Sequence, residues 1–136
     1  MSDPNAPIRN FMTPAPVSIG RQQPMAEASR RMTEHRIRHL PVLDGGRVVG
    51  IVSDRDLAMV ESFPNVDTEV VTVEEAMTPD PYVVKPDTPL RAVVAELAEH
   101  KYGTAVVIEN NRLAGIFTLV DAMRTFAAFL RGDTAS

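Results

Sequence analysis

Two hydroxyl–carboxylate pairs stand out in this chain, Ser53 with Asp56 and Thr118 with Asp121. Each pair lies in a seven-residue stretch that begins with glycine and an apolar residue. Any residue follows, then Ser or Thr, two further residues, and Asp. Such a stretch is typical of a strand that ends in a tight corner before a helix. There the pair can cap free N–H groups of the first helical turn. The same atoms can instead hold a ribose diol on the carboxylate and a phosphate at the helix N-terminus.

Basic residues accompany the first pair only: Arg38, His39 and Arg55. Arg55 falls in the first turn of the predicted helix, where a positive charge opposes the helix dipole. This arrangement favours a phosphate partner, because Arg suits bidentate contact with phosphate. Ordinary solvated charges remain the alternative interpretation. The matching positions of the second copy are uncharged, namely Gly103, Thr104 and Val120. If the two pairs hold a ligand rather than only cap a helix, we expect the two sites to differ in phosphate-binding power.

The histidines and paired carboxylates do not form a catalytic or metal-binding set. His35 and His39 have the spacing of zinc ligands on one helix. However, Leu40-Pro41 begins a predicted strand, so the helix has ended, and no third ligand is evident. Asp54 and Asp56 are two positions apart and do not face each other on a helix. The sequence therefore predicts neither a metal site nor an enzyme.

Composition narrows the class of protein further. The chain has 136 residues, 44% of them hydrophobic and 24% charged, which is typical of one globular domain. A net charge of −4 makes nucleic-acid binding improbable. There are no cysteines, which excludes disulfides and thiol chemistry. We find no signal peptide and no apolar run of ~20 residues that could span a bilayer, so we expect a cytoplasmic protein without membrane contact.

The sequence contains an internal duplication. Residues 12–58 align with residues 77–123 without a gap, and the prolines, glycines and charges fall in register. We assign residues 8–62 to a first repeat, 63–70 to a linker and 71–130 to a second repeat. Such repeats are marginal alone, so both should form one globular module.

Each repeat has the predicted order β-α-β-β-α. Met-Thr-Pro forms a turn that leads into each repeat. Pro24 and Pro89 suit the first position of a helix, with Thr88 as a cap. The second repeat's helix carries a core-facing stripe of Leu90, Val93, Val94, Leu97 and Ala98. The fold class is α+β, with two repeats packed sheet to sheet about a pseudo-twofold axis. This packing would leave two equivalent clefts.

The motifs resemble those of a tandem CBS-domain pair. The likeness rests on the two Met-Thr-Pro turns, on Arg-His-Leu-Pro-Val at residues 38–42, and on the two glycine-to-aspartate stretches described above. It covers about residues 8–130. The resemblance implies a non-catalytic sensor that binds an adenine nucleotide or a related adenosyl ligand in the clefts, and that forms a homodimer. AMP, ADP, ATP and S-adenosylmethionine are the ligands it suggests, with none obligatory as a cofactor.

The resemblance also implies roles for individual residues. Ribose and phosphate would meet Ser53, Arg55, Asp56, Thr118, Asp121, Arg38 and His39. Adenine would lie against Val17, Ile19, Pro41, Val83 and Val84. A protein that the module regulates is also implied, but the sequence does not identify it. The alternative is a protein–protein interaction module with vestigial clefts, for which Phe126, Phe129 and Leu130 would supply an apolar surface.

Overall fold

The computed structural model of the chain describes residues 3–132. Within that range the secondary structure is α+β, as predicted. The helices are α1 (Met25–His35), α2 (Asp54–Glu61), α3 (Val73–Ala76), α4 (Leu90–His100) and α5 (Leu119–Leu130). The strands are β1 (Thr13–Pro14), β2 (Ile19–Gly20), β3 (His39–Asp44), β4 (Arg47–Ser53), β5 (Thr78–Pro79), β6 (Val83–Val84), β7 (Thr104–Glu109) and β8 (Arg112–Thr118). No helix of this described part is long and apolar enough to cross a membrane.

The chain divides into two compact units. The continuous unit is Pro16–Pro81, and the described part of the split unit combines residues 3–15 with residues 82–132. The continuous unit has the sheet β2-β3-β4-β5, and the split unit has the sheet β1-β8-β7-β6. In each, a short strand runs parallel to the first strand of a long antiparallel hairpin. The order β-α-β-β-α is therefore confirmed in both units.

The two Met-Thr-Pro segments do not form the predicted turns. Each contributes a two-residue edge strand: Thr13 and Pro14 pair with β8, and Thr78 and Pro79 pair with β4. The chain turns only afterwards, at Ala15 and Asp80, which both have positive φ. Proline is tolerated there because an edge strand leaves one row of N–H groups unpaired. The Met-Thr-Pro strand of each repeat thus completes the sheet that the other repeat forms.

The edge strands explain the glycine of each repeated motif. A side chain at Gly50 would place Cβ 2.8 Å from the carbonyl oxygen of Thr78 and 2.6 Å from the Met77 sulfur. At Gly115 the three nearest atoms belong to the side chain of Met12. Glycine therefore avoids a clash with the backbone of the edge strand at Gly50, and with the side chain that precedes the edge strand at Gly115. We assign both glycines to packing rather than to ligand binding.

Helix termini were predicted to within one residue. Pro24 and Pro89 are N-caps with extended backbone, and not the first helical residues that the sequence suggested. Thr88 is not a cap, since its hydroxyl accepts a hydrogen bond from the Lys85 N–H at 3.2 Å. At the other end, α1 and α4 close on Arg36 and Lys101 in the left-handed conformation. A cation at a helix C-terminus interacts favourably with the dipole.

Each unit has its own hydrophobic core. In the continuous unit the core includes Met25, Ala28 and Met32 from α1, as the helical periodicity predicted. In the split unit, α4 contributes Leu90, Val93 and Leu97. The predicted stripe on α4 was too wide, because Val94 is 40% exposed and Ala98 is also exposed. One narrow stripe therefore anchors α4, and its flanks face solvent.

Both hairpins turn through two residues with positive φ. These are Gly45 and Gly46 in the continuous unit, and Asn110 and Asn111 in the split unit. Two-residue hairpin turns of the type I′ class need positive φ at both positions, which Gly and Asn adopt readily. The hairpins set the register of the long strands. This register places the start of β3 opposite the end of β4, where α2 begins, and the start of β7 opposite the end of β8, where α5 begins.

Candidate functional site

In the continuous unit, the corner between β4 and α2 is built by a capping box. The Ser53 N–H donates to Asp56 Oδ2 at 2.9 Å, and the Asp56 N–H donates to Ser53 Oγ at 3.0 Å. The Asp54 N–H donates to the carbonyl of Arg38 at 3.0 Å, which joins the start of α2 to the start of β3. His39 lies opposite Ser53 in the β3–β4 register. We call these residues, with Arg55, the continuous-unit corner.

In the split unit, the corner between β8 and α5 repeats this backbone arrangement. The Thr118 N–H donates to Asp121 Oδ2 at 2.9 Å, and the Asp121 N–H donates to Thr118 Oγ1 at 3.2 Å. The Leu119 N–H donates to the carbonyl of Gly103 at 3.2 Å. Thr104 lies opposite Thr118 in the β7–β8 register. We call this set, with Thr13, the split-unit corner.

Capping engages only one oxygen of each aspartate. In both corners Oδ2 completes the capping box. Within residues 3–132, Oδ1 of Asp56 accepts no hydrogen bond. Oδ1 of Asp121 is approached by Thr13 Oγ1 at 3.5 Å and by Arg124 Nη1 at 3.7 Å, both long distances. Because a carboxylate has about four acceptor sites, capping and ligand binding do not exclude each other.

The predicted cations of the continuous-unit corner surround the helix start. Arg38 precedes β3, Arg55 lies in the first turn of α2, and both are exposed. Neither forms a salt bridge with any residue of the described part of the chain. Their guanidinium groups are therefore available to an anion placed at the N-terminus of α2.

His39 is half-buried, and burial lowers the pKa of its imidazole below the ordinary value of 6.5. The carboxylates of Asp54 and Asp56 partly oppose this shift, and Arg38 adds to it. His39 is consequently neutral at pH 7. A neutral imidazole can still donate one hydrogen bond, and an added anion would favour its protonated form.

The residues predicted to contact adenine differ in exposure. Ile19 and Val84 belong to the hydrophobic cores of their units, with 1% and 7% exposure. A ligand could meet little of them beyond their backbone groups. Pro41 is buried on β3, and strand alternation points it away from its core neighbours. Val17 is half-buried and Val83 is 45% exposed, so these two side chains are the more accessible.

Sequence reasoning missed two hydroxyl groups of the split-unit corner. Thr13 lies on β1 and reaches Asp121 only because β1 pairs with β8. Thr104 was noticed as an uncharged replacement of His39, but the burial of its hydroxyl was not foreseen. The repetition of Met-Thr-Pro was the available signal for Thr13. No local pattern marks Thr104, because its burial depends on tertiary packing.

Other parts of the surface offer weaker candidates. One depression lies along α1 at Ala26, Arg30 and Glu34, and another lies near Lys85 and Glu109. Neither includes a residue of the two corners, and both are lined by exposed or half-buried side chains. Within residues 3–132, no three His, Cys, Asp or Glu side chains come together as metal ligands. The two corners remain the strongest candidates.

Two curated relatives match the chain at low identity. The chain is 27% identical over 117 residues to hypoxic response protein 1 of Mycobacterium tuberculosis, which covers 85% of this chain and 82% of that protein. It is also 27% identical over 128 residues to L-aspartate semialdehyde sulfurtransferase of Methanocaldococcus jannaschii. That match covers 93% of this chain but spans only 24% of the enzyme's length.

Three solved structures with ligands are similar to the chain. A CBS domain pair in complex with 5′-methylthioadenosine and S-adenosyl-L-methionine has a TM-score of 0.81 at 25% identity, covering 93% of this chain and 99% of that one. The CBS domain of a bacterial CNNM/CorC family Mg²⁺ transporter in complex with ATP has 0.80 at 26%, covering 91% and 89%. CBSX2 in complex with AMP has 0.80 at 26%, covering 91% and 98%.

The CBS domain family model matches this chain twice, over residues 8–62 and over residues 73–128. The two matches together cover most of the chain and include both capping-box corners. The repeated motifs, the two sheets and the solved structures agree with this assignment. The chain therefore belongs to the CBS domain family, with two CBS domain repeats.

Proposed function

We propose that this chain is a non-catalytic regulatory module that binds an adenine nucleotide or a related adenosyl ligand at the two corners. The observation that carries the proposal is the same in both units: an aspartate caps a helix with Oδ2 and leaves Oδ1 without a short hydrogen bond. An acceptor so placed suits a ribose diol, whose two hydroxyls donate hydrogen bonds. The AMP, ATP and S-adenosylmethionine complexes of similar CBS structures support this ligand class.

The phosphate of a nucleotide would lie at the continuous-unit corner. The first-turn N–H groups and the hydroxyl of Ser53 favour an anion at the start of α2. Arg38 and Arg55 provide exposed guanidinium groups that form no salt bridge within residues 3–132, and His39 provides a further N–H. The ligand would regulate a partner protein by binding one arrangement of the module more tightly than another.

Differential scanning fluorimetry with AMP, ADP, ATP, S-adenosylmethionine and NAD tests the proposal. A ligand at about a hundred times its dissociation constant stabilises the folded state by ~2.7 kcal/mol, which raises Tm by several degrees. Absence of any shift at millimolar concentrations of all five compounds contradicts the proposal. Turnover of a compound during incubation would instead indicate an enzyme.

Aspartate variants assign the response to the corners. We expect Asp56→Asn and Asp121→Asn to weaken the ligand-induced shift, because an amide is a poorer acceptor for a diol. The matched control is Glu75→Gln, which makes the same chemical change in the capping box at Thr72, where no ligand is proposed. If Glu75→Gln weakens the shift as much as the aspartate variants do, capping alone explains the effect.

The second candidate function is that of a protein–protein interaction module, which the exposed surface of α5 favours. Helix α5 exposes apolar side chains with helical spacing, namely Leu119 (52%), Met123 (64%), Phe126 (51%) and Leu130 (68%). Covering such a stripe by a second copy would bury apolar area. Light scattering should then report a dimer that Phe126→Glu dissociates and that the control Val70→Glu, at an exposed apolar residue outside α5, does not. A monomeric wild-type protein contradicts the dimer.

A further inference from the structure

The split-unit corner contains a buried hydroxyl without a partner. Thr104 is 7% exposed, and within residues 3–132 its Oγ1 forms no hydrogen bond. Buried polar groups are nearly always hydrogen-bonded, because an unsatisfied group loses its interaction with water and gains none in return. A hydroxyl of this kind beside a helix start points to a polar group supplied by a ligand.

The strand register directs Thr104 towards the corner. Thr104 and Thr118 are opposite each other on antiparallel strands, so their side chains lie on the same face of the sheet. The Thr118 hydroxyl is 3.1 Å from Asp121 Oδ2, and Asp121 is itself only 8% exposed. Thr13 Oγ1 approaches the other oxygen of that carboxylate at 3.5 Å. The corner therefore offers hydroxyl groups around one shielded carboxylate.

Among the described residues, this corner has no cation at the positions that carry one in the other unit. Gly103, Thr104 and Val120 occupy the positions that hold Arg38, His39 and Arg55 there. The guanidinium that forms an ion pair with Asp121 is that of Arg124, one turn further along α5 and 77% exposed. Its Nη1 is 3.7 Å from Asp121 Oδ1, so it already balances the charge of the carboxylate that would hold the diol. A phosphate here would face Asp121 without a cation of its own.

We propose that the split-unit corner selects an adenine nucleoside that carries no phosphate, and that Thr104 is a specificity-determining residue that hydrogen-bonds the ligand. This inference rests on the proposed function, because it concerns the ligand class of one of the two corners. The suitable probes are adenosine and 5′-methylthioadenosine, with AMP as the phosphorylated competitor.

The test isolates the split-unit corner with Asp56→Asn, which weakens the other site. Calorimetric titration of this variant should show adenosine or 5′-methylthioadenosine binding at least tenfold more tightly than AMP. Adding Thr104→Val should weaken the nucleoside about tenfold, whereas Thr104→Ser should restore it. Tm of the Thr104→Val protein without ligand should stay equal or rise, since the substitution removes an unsatisfied hydroxyl. A purely structural role for the hydroxyl would lower Tm instead.

Each result decides the proposal. Equal or tighter binding of AMP to Asp56→Asn, or unchanged nucleoside binding after Thr104→Val, overturns it. Should Thr104→Val fail to fold, the paired substitution Gly103→Arg and Val120→Arg gives the reciprocal test, because it should convert the corner to AMP preference. If the wild-type chain binds AMP but no nucleoside, the inference fails and the proposed function stands. If it binds none of the three compounds and also fails the fluorimetry, both fail.

Discussion

The two corners share a backbone and differ in their side chains. In both, a strand-end hydroxyl residue and an aspartate form a capping box, and the first helical N–H binds the carbonyl that precedes the facing strand. The continuous-unit corner adds Arg38 and Arg55 as exposed cations, whereas the split-unit corner adds buried Thr104. Both corners contain the hydroxyl residue and the aspartate because the capping box requires them. The positions around it differ, and under the proposed function they would set the ligand that each corner favours.

The aspartates themselves also differ in environment. Asp56 is half-buried, whereas Asp121 is 8% exposed and lies near Thr13 of the edge strand. The corresponding Thr78 forms no hydrogen bond to Asp56 in the described part of the chain. A shielded carboxylate interacts more strongly with hydroxyl donors than one in contact with water. This difference is consistent with the proposal that the split-unit corner binds an uncharged ligand and the continuous-unit corner a phosphorylated one.

The largest effect is expected from removing the two cations of the continuous-unit corner. We expect the double substitution Arg38→Gln and Arg55→Gln to weaken AMP binding by about tenfold to a hundredfold, because it removes charge-assisted hydrogen bonds to phosphate. Adenosine binding should be unaffected. The loss should shrink as salt is added, since both guanidinium groups are exposed. Calorimetric titration at two ionic strengths measures both effects.

The matched control for that experiment is the double substitution Arg47→Gln and Arg112→Gln, which removes one exposed cation at each hairpin. It lowers the net charge of the chain by the same two charges, and neither residue lies in the continuous-unit corner. An equal loss of AMP affinity in the control would mean that long-range charge, and not contact with the phosphate, explains the double variant.

The second prediction compares the two edge strands. We expect Gly50→Ala to destabilise the fold by about 1–3 kcal/mol, because the new Cβ meets the Thr78 carbonyl oxygen. Gly115→Ala should cost less, since the Met12 side chain that it meets can change rotamer. Urea unfolding of both variants measures the difference. Equal destabilisation would show that the two edge strands constrain their sheets alike.

The smallest expected effect concerns the proton on His39. Because burial lowers the pKa of His39, a nearby phosphate should raise it again and AMP binding near pH 6.5 should take up a fraction of a proton. Calorimetry in two buffers of different ionisation enthalpy measures this uptake. The His39→Gln protein should take up a smaller fraction of a proton when AMP binds. Titration of the AMP phosphate itself contributes equally in both proteins. Identical uptake by the two proteins would contradict a contact between His39 and phosphate.

The same residue affects stability without ligand. Its folded-state pKa is below 6.5, so the unfolded chain binds this proton more tightly and stability falls as the pH decreases below about 6.5. This dependence of stability on pH should disappear in the His39→Gln protein. Comparing the two proteins without ligand therefore checks the protonation of His39 independently of AMP binding.

Local patterns allowed much of the fold to be predicted. The capping boxes at Ser53 and Thr118 depend on residues within a few positions of one another, and the structure contains both. The errors arose where distant segments meet. Met-Thr-Pro was expected to form turns, but its threonine and proline pair with strands of the other repeat. The repeat boundaries at 8–62 and 71–130 stay a prediction about the sequence.

The chain's residues alone thus specify two capped corners, their repetition and the uneven distribution of cations, because capping and charge are properties of neighbouring residues. Tertiary structure decides which edge strand completes each sheet, why Gly50 and Gly115 must lack a side chain, and which polar groups lose contact with water. Thr104 illustrates the difference between what the sequence and the tertiary structure determine. Its identity can be read from the sequence. Its significance comes from burial, which depends on packing between segments that are far apart along the chain.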